Sequence, residues 1–299
     1  MTHQPIVVGF DDSPASRQAL LWALRTAQGR SADVLLVNAA RTFPPMLAGR
    51  GTYVASPREI AAEAGQATLQ AGVLLAANRA PGVAVTTKLV EDAPAAALLH
   101  LLDRGDMVVV GTRGLGGFTE LLIGSTSLKL ASHARCPVVV VRDETPGAEP
   151  GHESGRVVVG VDGSKDVSTD AIAFAFDEAS RRHTGLTALY ASRETFYDLP
   201  GRFGPIPKHN QNEEFQGEHR RWLTEHIAPW QEKYPDVNVK LDVLSQDPAE
   251  MLVAASSGAE LLVVGSHRHG GPHSVLMLGS VTHAVLHHAH CSIAVVGHR

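Results

Sequence analysis

Gly111, Gly114, Gly124, Ser125 and Thr126 are the residues of this chain best suited to meeting an anion at close range. They lie in MVVVGTRGLGGFTELLIGSTSLKLASHARCPVVVV, residues 107–141, where two glycines are followed after nine residues by Gly-Ser-Thr. Glycine lets backbone approach a ligand and permits positive φ. Amides at a helix start point outward, and the helix dipole favours negative charge there. Ser125 and Thr126 add hydroxyls that can donate or cap. The expectation is that the amides between Gly111 and Thr126 form a cradle for a di- or triphosphate, with Arg113 a phosphate neighbour on charge grounds. The alternative is a tight turn whose glycines serve packing alone. The loop is not a P-loop, since Gly-Lys-Ser/Thr is missing, nor the dinucleotide fingerprint, which follows the first strand of a βαβ unit.

A cradle needs elements to hold it. Ile6–Phe10, Val34–Val37, Val83–Val90, Met107–Val110 and Val138–Val141 are short apolar runs that read as strands. Most lack polar alternation, as strands covered on both faces do. Ala19, Leu20, Ala23, Leu24 and Ala27 recur at helical spacing, and Pro57–Asn78 reads as a long Ala-rich helix. Asp92 before Pro94 reads as an N-cap region with proline in the first turn. Strand–helix alternation means a parallel sheet with right-handed crossovers. In such a sheet ligands bind beyond the carboxyl ends of the strands, where strand order reverses. Asp11, ending the first strand, then reaches the crevice of the glycine loop. It can accept from ribose hydroxyls or hold a magnesium ion bridging phosphates; an Asx turn or helix cap is the other reading. Ala39, ending the second strand, has backbone able to meet a base edge.

The pattern occurs twice. PIVVGFDDSPASRQAL at Pro5 aligns with RVVVGVDGSKDVSTDA at Arg156, and ARCPVVVV at Ala134 with AHCSIAVV at Ala289. The second copy supplies Asp162, Ala191, Gly265, Gly279 and Ser280. It departs at Arg268, which stands where Gly114 does, in a loop one residue longer. Arg cannot adopt positive φ cheaply and could fill the crevice, or its guanidinium could bind phosphate; Gly270 could serve in a shifted loop. The first copy is therefore the stronger expectation for a ligand. The boundaries read as 1–143 for one domain, 144–154 for a Pro/Gly/Glu-rich linker and 155–299 for the second. The fold class is α/β: two tandem Rossmann-like domains, each a five-stranded parallel sheet with helices on both faces. RTFPPMLAGRGTYVASP after the second strand, and SRETFYDLPGRFGPIPKHNQNEE in the second copy, are long enough to be flaps beside the crevice.

The totals exclude other classes. The 299 residues carry a formal charge of −5, which speaks against a broad nucleic-acid or anionic-membrane surface. No apolar run approaches the ~20 residues of a membrane span, and the N-terminus lacks a signal-peptide pattern. Cys136 and Cys291 occupy equivalent places, so they are expected apart, buried and reduced. A cytoplasmic protein is the expectation.

The Gly-two-Gly-nine-Gly-Ser/Thr spacing after the fourth strand, the Asp ending the first, and CPVVVV as the last strand resemble the universal stress protein family; two copies resemble its tandem type. The resemblance implies ATP held by Asp11, Ala39, Gly111, Gly114, Gly124, Ser125 and Thr126, with Mg²⁺ as an accessory. It also implies a nucleotide-dependent stress-response role through an unidentified protein partner, and final strands that pair the two copies as an intramolecular pseudo-dimer or pair two chains. Rival readings are a slow ATPase and a phospho-receiver. The latter would use Asp11-Asp12 and Asp92, but it lacks the lysine after the fifth strand, where Arg142 stands. An ATPase has no evident base in the loop except Glu120. Eight of the sixteen histidines fall between His267 and His298. His283 and His287 have a spacing that can hold zinc, though no cysteine or carboxylate completes a set, and a solvated helix face is the plainer reading.

Overall fold

The computed structural model describes residues 4–39, 56–102, 107–114, 123–142, 155–163, 165–192, 208–266 and 278–297. The chain divides into two compact units, Met1–Asp143 and Glu144–Arg299.

In the first unit the strands are β1 (Ile6–Gly9), β2 (Val34–Ala39), β3 (Val85–Val90), β4 (Met107–Gly111) and β5 (Val138–Val141). The helices are α1 (Pro14–Arg30), α2 (Pro57–Arg79), α3 (Pro94–Leu101) and α4 (Ser125–His133). The strand order is β3-β2-β1-β4-β5, parallel throughout. Because β1 neighbours both β2 and β4, the chain's winding reverses between β1 and β4. That opens a crevice at their carboxyl ends. Every residue of β4 and β5 is buried. α1 and α2 pack side by side on one face, and α3 and α4 on the other.

Local chemistry sets the helix ends. Ser13 caps α1 by accepting from the Ser16 amide, Pro14 fills the first turn, and Ser31 closes the helix in the left-handed region at φ 50°. Ser56 and Glu59 form a reciprocal capping box at α2. At α3 the N-cap region and first-turn proline stand where expected, but without a side-chain cap. The N-cap is Ala93, which has no side chain to offer, while Asp92 accepts from the Ala93 amide at 2.6 Å. The Asp–Ala–Pro spacing leaves the acid one residue too early to reach the helix amides.

The second unit repeats the plan: β6 (Val157–Val161), α5 (Lys165–Arg181), β7 (Leu186–Ala191), α6 (Lys208–Lys233), β8 (Val239–Leu244), α7 (Pro248–Ala255), β9 (Leu261–Ser266), α8 (Ser280–His288) and β10 (Ile293–Gly297). Its order is β8-β7-β6-β9-β10, again parallel. Here Asp247 stands directly before Pro248 and caps α7 through the Glu250 amide. α6 starts at Lys208, inside the stretch expected to be a flap; residues 40–55 and 193–207, the rest of the two flaps, lie outside the described residues. The linker 144–154 does too. Cys136 is buried, but Cys291 is half-buried, a correction to the expectation of two core thiols; neither is in a disulfide.

Candidate functional site

A cleft of ≈ 390 Å³ opens at the carboxyl ends of β1, β2 and β4. Asp11, Ala39, Gly111, Arg113, Gly114, Gly124, Ser125 and Thr126, all the first-copy residues singled out from sequence, line it together. Sequence reasoning missed Phe10, Val37, Asn38, Pro94 and Leu98, which supply most of its apolar wall and one side-chain amide. Pro94 and Leu98 belong to α3, whose first turn comes over the crevice from the far face. The position of a helix after the third strand was the available signal.

Asp11 is held before any ligand arrives. Its Oδ1 accepts from the Ser13 hydroxyl at 2.6 Å and the Ser13 amide at 3.1 Å, the Asx turn of the alternative reading. Its Oδ2 faces Gly114. One carboxylate oxygen is thus an anchor and the other is aimed across the cleft. Asp12 turns away. It takes φ 64° and binds Arg17 through both oxygens, at 2.8 and 3.0 Å. Hydrogen bonding to Asp12, then its charge, holds the Arg17 guanidinium above its ordinary pKa.

The glycines are demanded by space, not by handedness. None of Gly111, Gly114 and Gly124 has φ in the left-handed region, contrary to the expectation from the loop. A Cβ on Gly111 would sit 2.6 Å from the Ala15 carbonyl carbon, so α1 and β4 can touch only through glycine. A Cβ on Gly114 would fall on Asp11 Oδ2, and one on Gly124 would lie 3.1 Å from the Thr112 oxygen.

The cradle is narrower than expected. The Gly124 amide is turned inward and donates to the Thr112 carbonyl at 2.6 Å. That leaves the amides of Ser125, Thr126 and Ser127 at the start of α4, which has Gly124 as N-cap and no side-chain cap. The Ser127 hydroxyl fixes the helix by donating to the Gly111 carbonyl at 2.8 Å. Ser125 and Thr126 face the cleft with the uncapped end of the dipole behind them. Residues 115–122, including Glu120, lie outside the described residues.

The second copy places its residues at matching points. Asp162 follows β6, Ala191 ends β7, Gly265 lies in β9, Gly279 is the N-cap of α8 and Ser280 its first residue. The Thr282 hydroxyl donates to the Gly265 carbonyl at 3.0 Å, as Ser127 does to Gly111. Arg268 and Gly270 lie outside the described residues.

The rival arrangements are not gathered among the described residues. A phospho-receiver pocket needs its acids together, but Asp11 lines the cleft while Asp12 is paired with Arg17 and Asp92 lies 3.6 Å from His100. The rings of His283 and His287 pack at 4.5 Å. No group of three or more His, Cys, Asp or Glu suited to a metal occurs among the described residues, and no helix among them is long and apolar enough to cross a membrane.

The likenesses to known proteins agree with the repeated α/β fold. The model of the universal stress protein family matches residues 2–142 and again 153–297. A universal stress protein of Mycobacterium tuberculosis is 37% identical over 297 residues, covering 97% of this chain and 96% of the relative. One of Mycolicibacterium smegmatis is 35% identical over 301 residues, covering 99% and 97%. The crystal structure of a universal stress protein from Archaeoglobus fulgidus matches with a TM-score of 0.71 over 99% of both chains at 15% identity, which speaks to the fold. With both halves matched and the repeated strand order in place, the chain belongs to the universal stress protein family as a tandem, two-domain member.

Proposed function

We propose that the chain is an ATP-binding regulatory module whose first domain holds the nucleotide. One observation carries the reading: a single cleft at the switch point joins an aimed carboxylate oxygen, an uncapped helix start with two hydroxyls, a guanidinium-bearing residue and an apolar wall. Its volume, ≈ 390 Å³, falls within the range of small-molecule sites. The apolar side, Phe10, Val37, Pro94 and Leu98, suits a base. The Ser125–Thr126 end suits a polyphosphate, since its amides and dipole meet negative charge without a cap to displace.

Asp11 fits magnesium in the way that ion prefers, one protein carboxylate with the remaining positions left to phosphate oxygens and water. When bound, Mg²⁺ would neutralise phosphate charge. Asp11 would hold it through Oδ2, with Oδ1 fixed by Ser13. Water attack on a γ-phosphate needs a positioned base or water-orienting group. The described lining residues include no Glu, Gln or His. Binding with at most slow turnover follows, below the ~1 s⁻¹ of dedicated phosphoryl-transfer enzymes. Occupancy would then alter the surface around the crevice and so the encounter with a protein partner in the cytoplasmic stress response.

The test is mass spectrometry of small molecules released from purified, denatured protein, with a turnover assay beside it. ATP in the released fraction and a rate below that threshold support the proposal. AMP or another cofactor in its place, or sustained faster turnover, overturns it.

A further inference from the structure

The two domains end the ladder between their first and second strands differently, and the difference lies at the cleft. In a parallel ladder a residue's N–H and C=O point the same way, and the next rung is set by the residue two further on. Phe10 donates its N–H to Val37 at 2.9 Å. The next rung would be the Ala39 N–H on the Phe10 carbonyl. It is not made: the β1–β2 register ends at Gly9 with Val37. Instead the Asn38 side-chain amide donates to the Phe10 carbonyl at 2.7 Å. Ala39 has no acceptor for its N–H among the described residues, and it lines the cleft. Its pairing with Val90 uses the amides and carbonyls of its neighbours, so its own N–H and C=O both face the side where β1 has stopped.

In the second domain the register runs one pair further, to Val161 with Tyr190. Val157 donates its N–H to the Gly185 carbonyl, which sets the parity, so this last pair places the Ala191 N–H on the Val161 carbonyl. Tyr190 stands where Asn38 does and has no amide to offer the carbonyl.

The helix above changes in step. Leu69 of α2 and Leu223 of α6 are both fully buried and correspond. Four residues before each stand Gly65 and His219. A Cβ on Gly65 would lie 3.0 Å from Asn38 Oδ1 and 2.5 Å from Leu89 Cδ1, so glycine makes room for the Asn38 amide. In the second domain the His219 ring stacks on Tyr190 at 4.9 Å. Asn with Gly, and Tyr with His, are two solutions to the same space.

We infer that Asn38 is a positioning residue that reserves the Ala39 backbone for a nucleobase: by occupying the Phe10 carbonyl it leaves an N–H donor and a C=O acceptor side by side in the first-domain cleft, while the second domain consumes the equivalent donor in its sheet. The inference rests on the nucleotide reading above for its ligand, but the strand-end chemistry is testable without one. It assigns base recognition to the first domain and leaves the second to bind, at most, through its phosphate end.

Two measurements on the full chain separate the possibilities. The first is amide hydrogen exchange without nucleotide, in wild type and Asn38→Leu. Leu keeps the volume and removes the donor, so the Phe10 carbonyl becomes available to Ala39. The Ala39 amide is expected to exchange freely in wild type and to become protected in the variant. Protection in wild type overturns the inference whatever the chain binds. The second is calorimetric titration with ATP and with inorganic tripolyphosphate. Asn38→Leu, and Gly65→Ala, which displaces the Asn38 amide from above, are expected to weaken ATP roughly ten- to a hundredfold, the worth of one or two hydrogen bonds. Tripolyphosphate binding stays unchanged. Equal loss for both ligands, or none, overturns the positioning role. If neither ligand binds wild type, the nucleotide reading fails, and the exchange result still decides whether Asn38 holds the strand end. Should Asn38→Leu not fold, Asn38→Asp keeps the shape, loses the donor, and is expected to lose ATP in the same way.

Discussion

Gly114→Ala tests the cleft at its tightest point. The added methyl would fall on Asp11 Oδ2, closer than any carbon and oxygen rest. Either the Asp11 carboxylate swings aside or the backbone at residue 114 withdraws. Swinging Asp11 disturbs its bonds to the Ser13 hydroxyl, 2.6 Å, and amide, 3.1 Å. Hydrogen bonds to a charged group contribute about 1.5–3 kcal/mol each. The site is partly solvated, so about 2 kcal/mol for the whole displacement is a fair figure. Withdrawal of residue 114 separates the carboxylate from the phosphate end and costs binding instead. The two routes share one perturbation, so the expected outcome is MgATP affinity lower by about 30-fold, the equivalent of 2 kcal/mol, with a lower melting temperature if Asp11 is what moves. Titration calorimetry and thermal denaturation read the two separately. Gly29→Ala is the control: it lies in α1, and a Cβ there meets nothing within 4 Å. It should leave affinity unchanged and stability equal or slightly raised, because alanine suits a helix better. If Gly114→Ala matches Gly29→Ala in both readouts, the contact between Gly114 and Asp11 does not govern the cleft and the reasoning is wrong.

The remaining predictions concern the parts around that contact. Ser127→Ala and Thr282→Val each remove a hydroxyl from a glycine carbonyl at the carboxyl end of the fourth strand of its domain; each should destabilise its domain by about 1–2 kcal/mol in urea denaturation. Ala93→Ser gives α3 the N-cap side chain that Asp247 gives α7, and should stabilise by about 0.5–1 kcal/mol in the same assay. Chelating Mg²⁺ should weaken ATP binding in wild type but leave Asp11→Asn indifferent, since the carboxylate that would hold the ion is then gone; equal sensitivity in both proteins removes Asp11 from the metal's ligands.

The parallel α/β sheet, the duplication and the glycine-loop and strand-end residues of the first-domain cleft are legible in the sequence, for a physical reason. Strands buried on both faces write themselves as unbroken valine runs such as VVVV at 138–141. A crevice at the switch point then gathers whatever ends the first, second and fourth strands. What stayed hidden depends on contacts between residues far apart. Gly111 reads in the sequence as backbone brought close to a ligand, and in the structure it is also a spacer against Ala15. Asn38 reads as one polar residue at a strand end, and only its bond to Phe10 shows what it replaces. Asp92 and Pro94 mark the start of a helix, but which residue caps it turns on a shift of one position, and Ala93 takes the place. Pro94 and Leu98 reach the cleft from a helix on the other side of the sheet, a distance along the chain that local patterns do not record.

The bond from the Gly124 amide to the Thr112 carbonyl has a bearing on how such chains diversify. It ties the exit of the 113–123 stretch to its entrance, so the helix start is anchored by its own stem. Lengthening a closed excursion adds little entropy, since the cost grows only with the logarithm of its size. Residues can therefore be gained, lost or exchanged within that span while the strand and helix on either side keep their places. The tandem protein already carries one such trial, because Gly265 to Gly279 is longer by one residue than Gly111 to Gly124, yet the hydroxyl of Thr282 still finds its carbonyl.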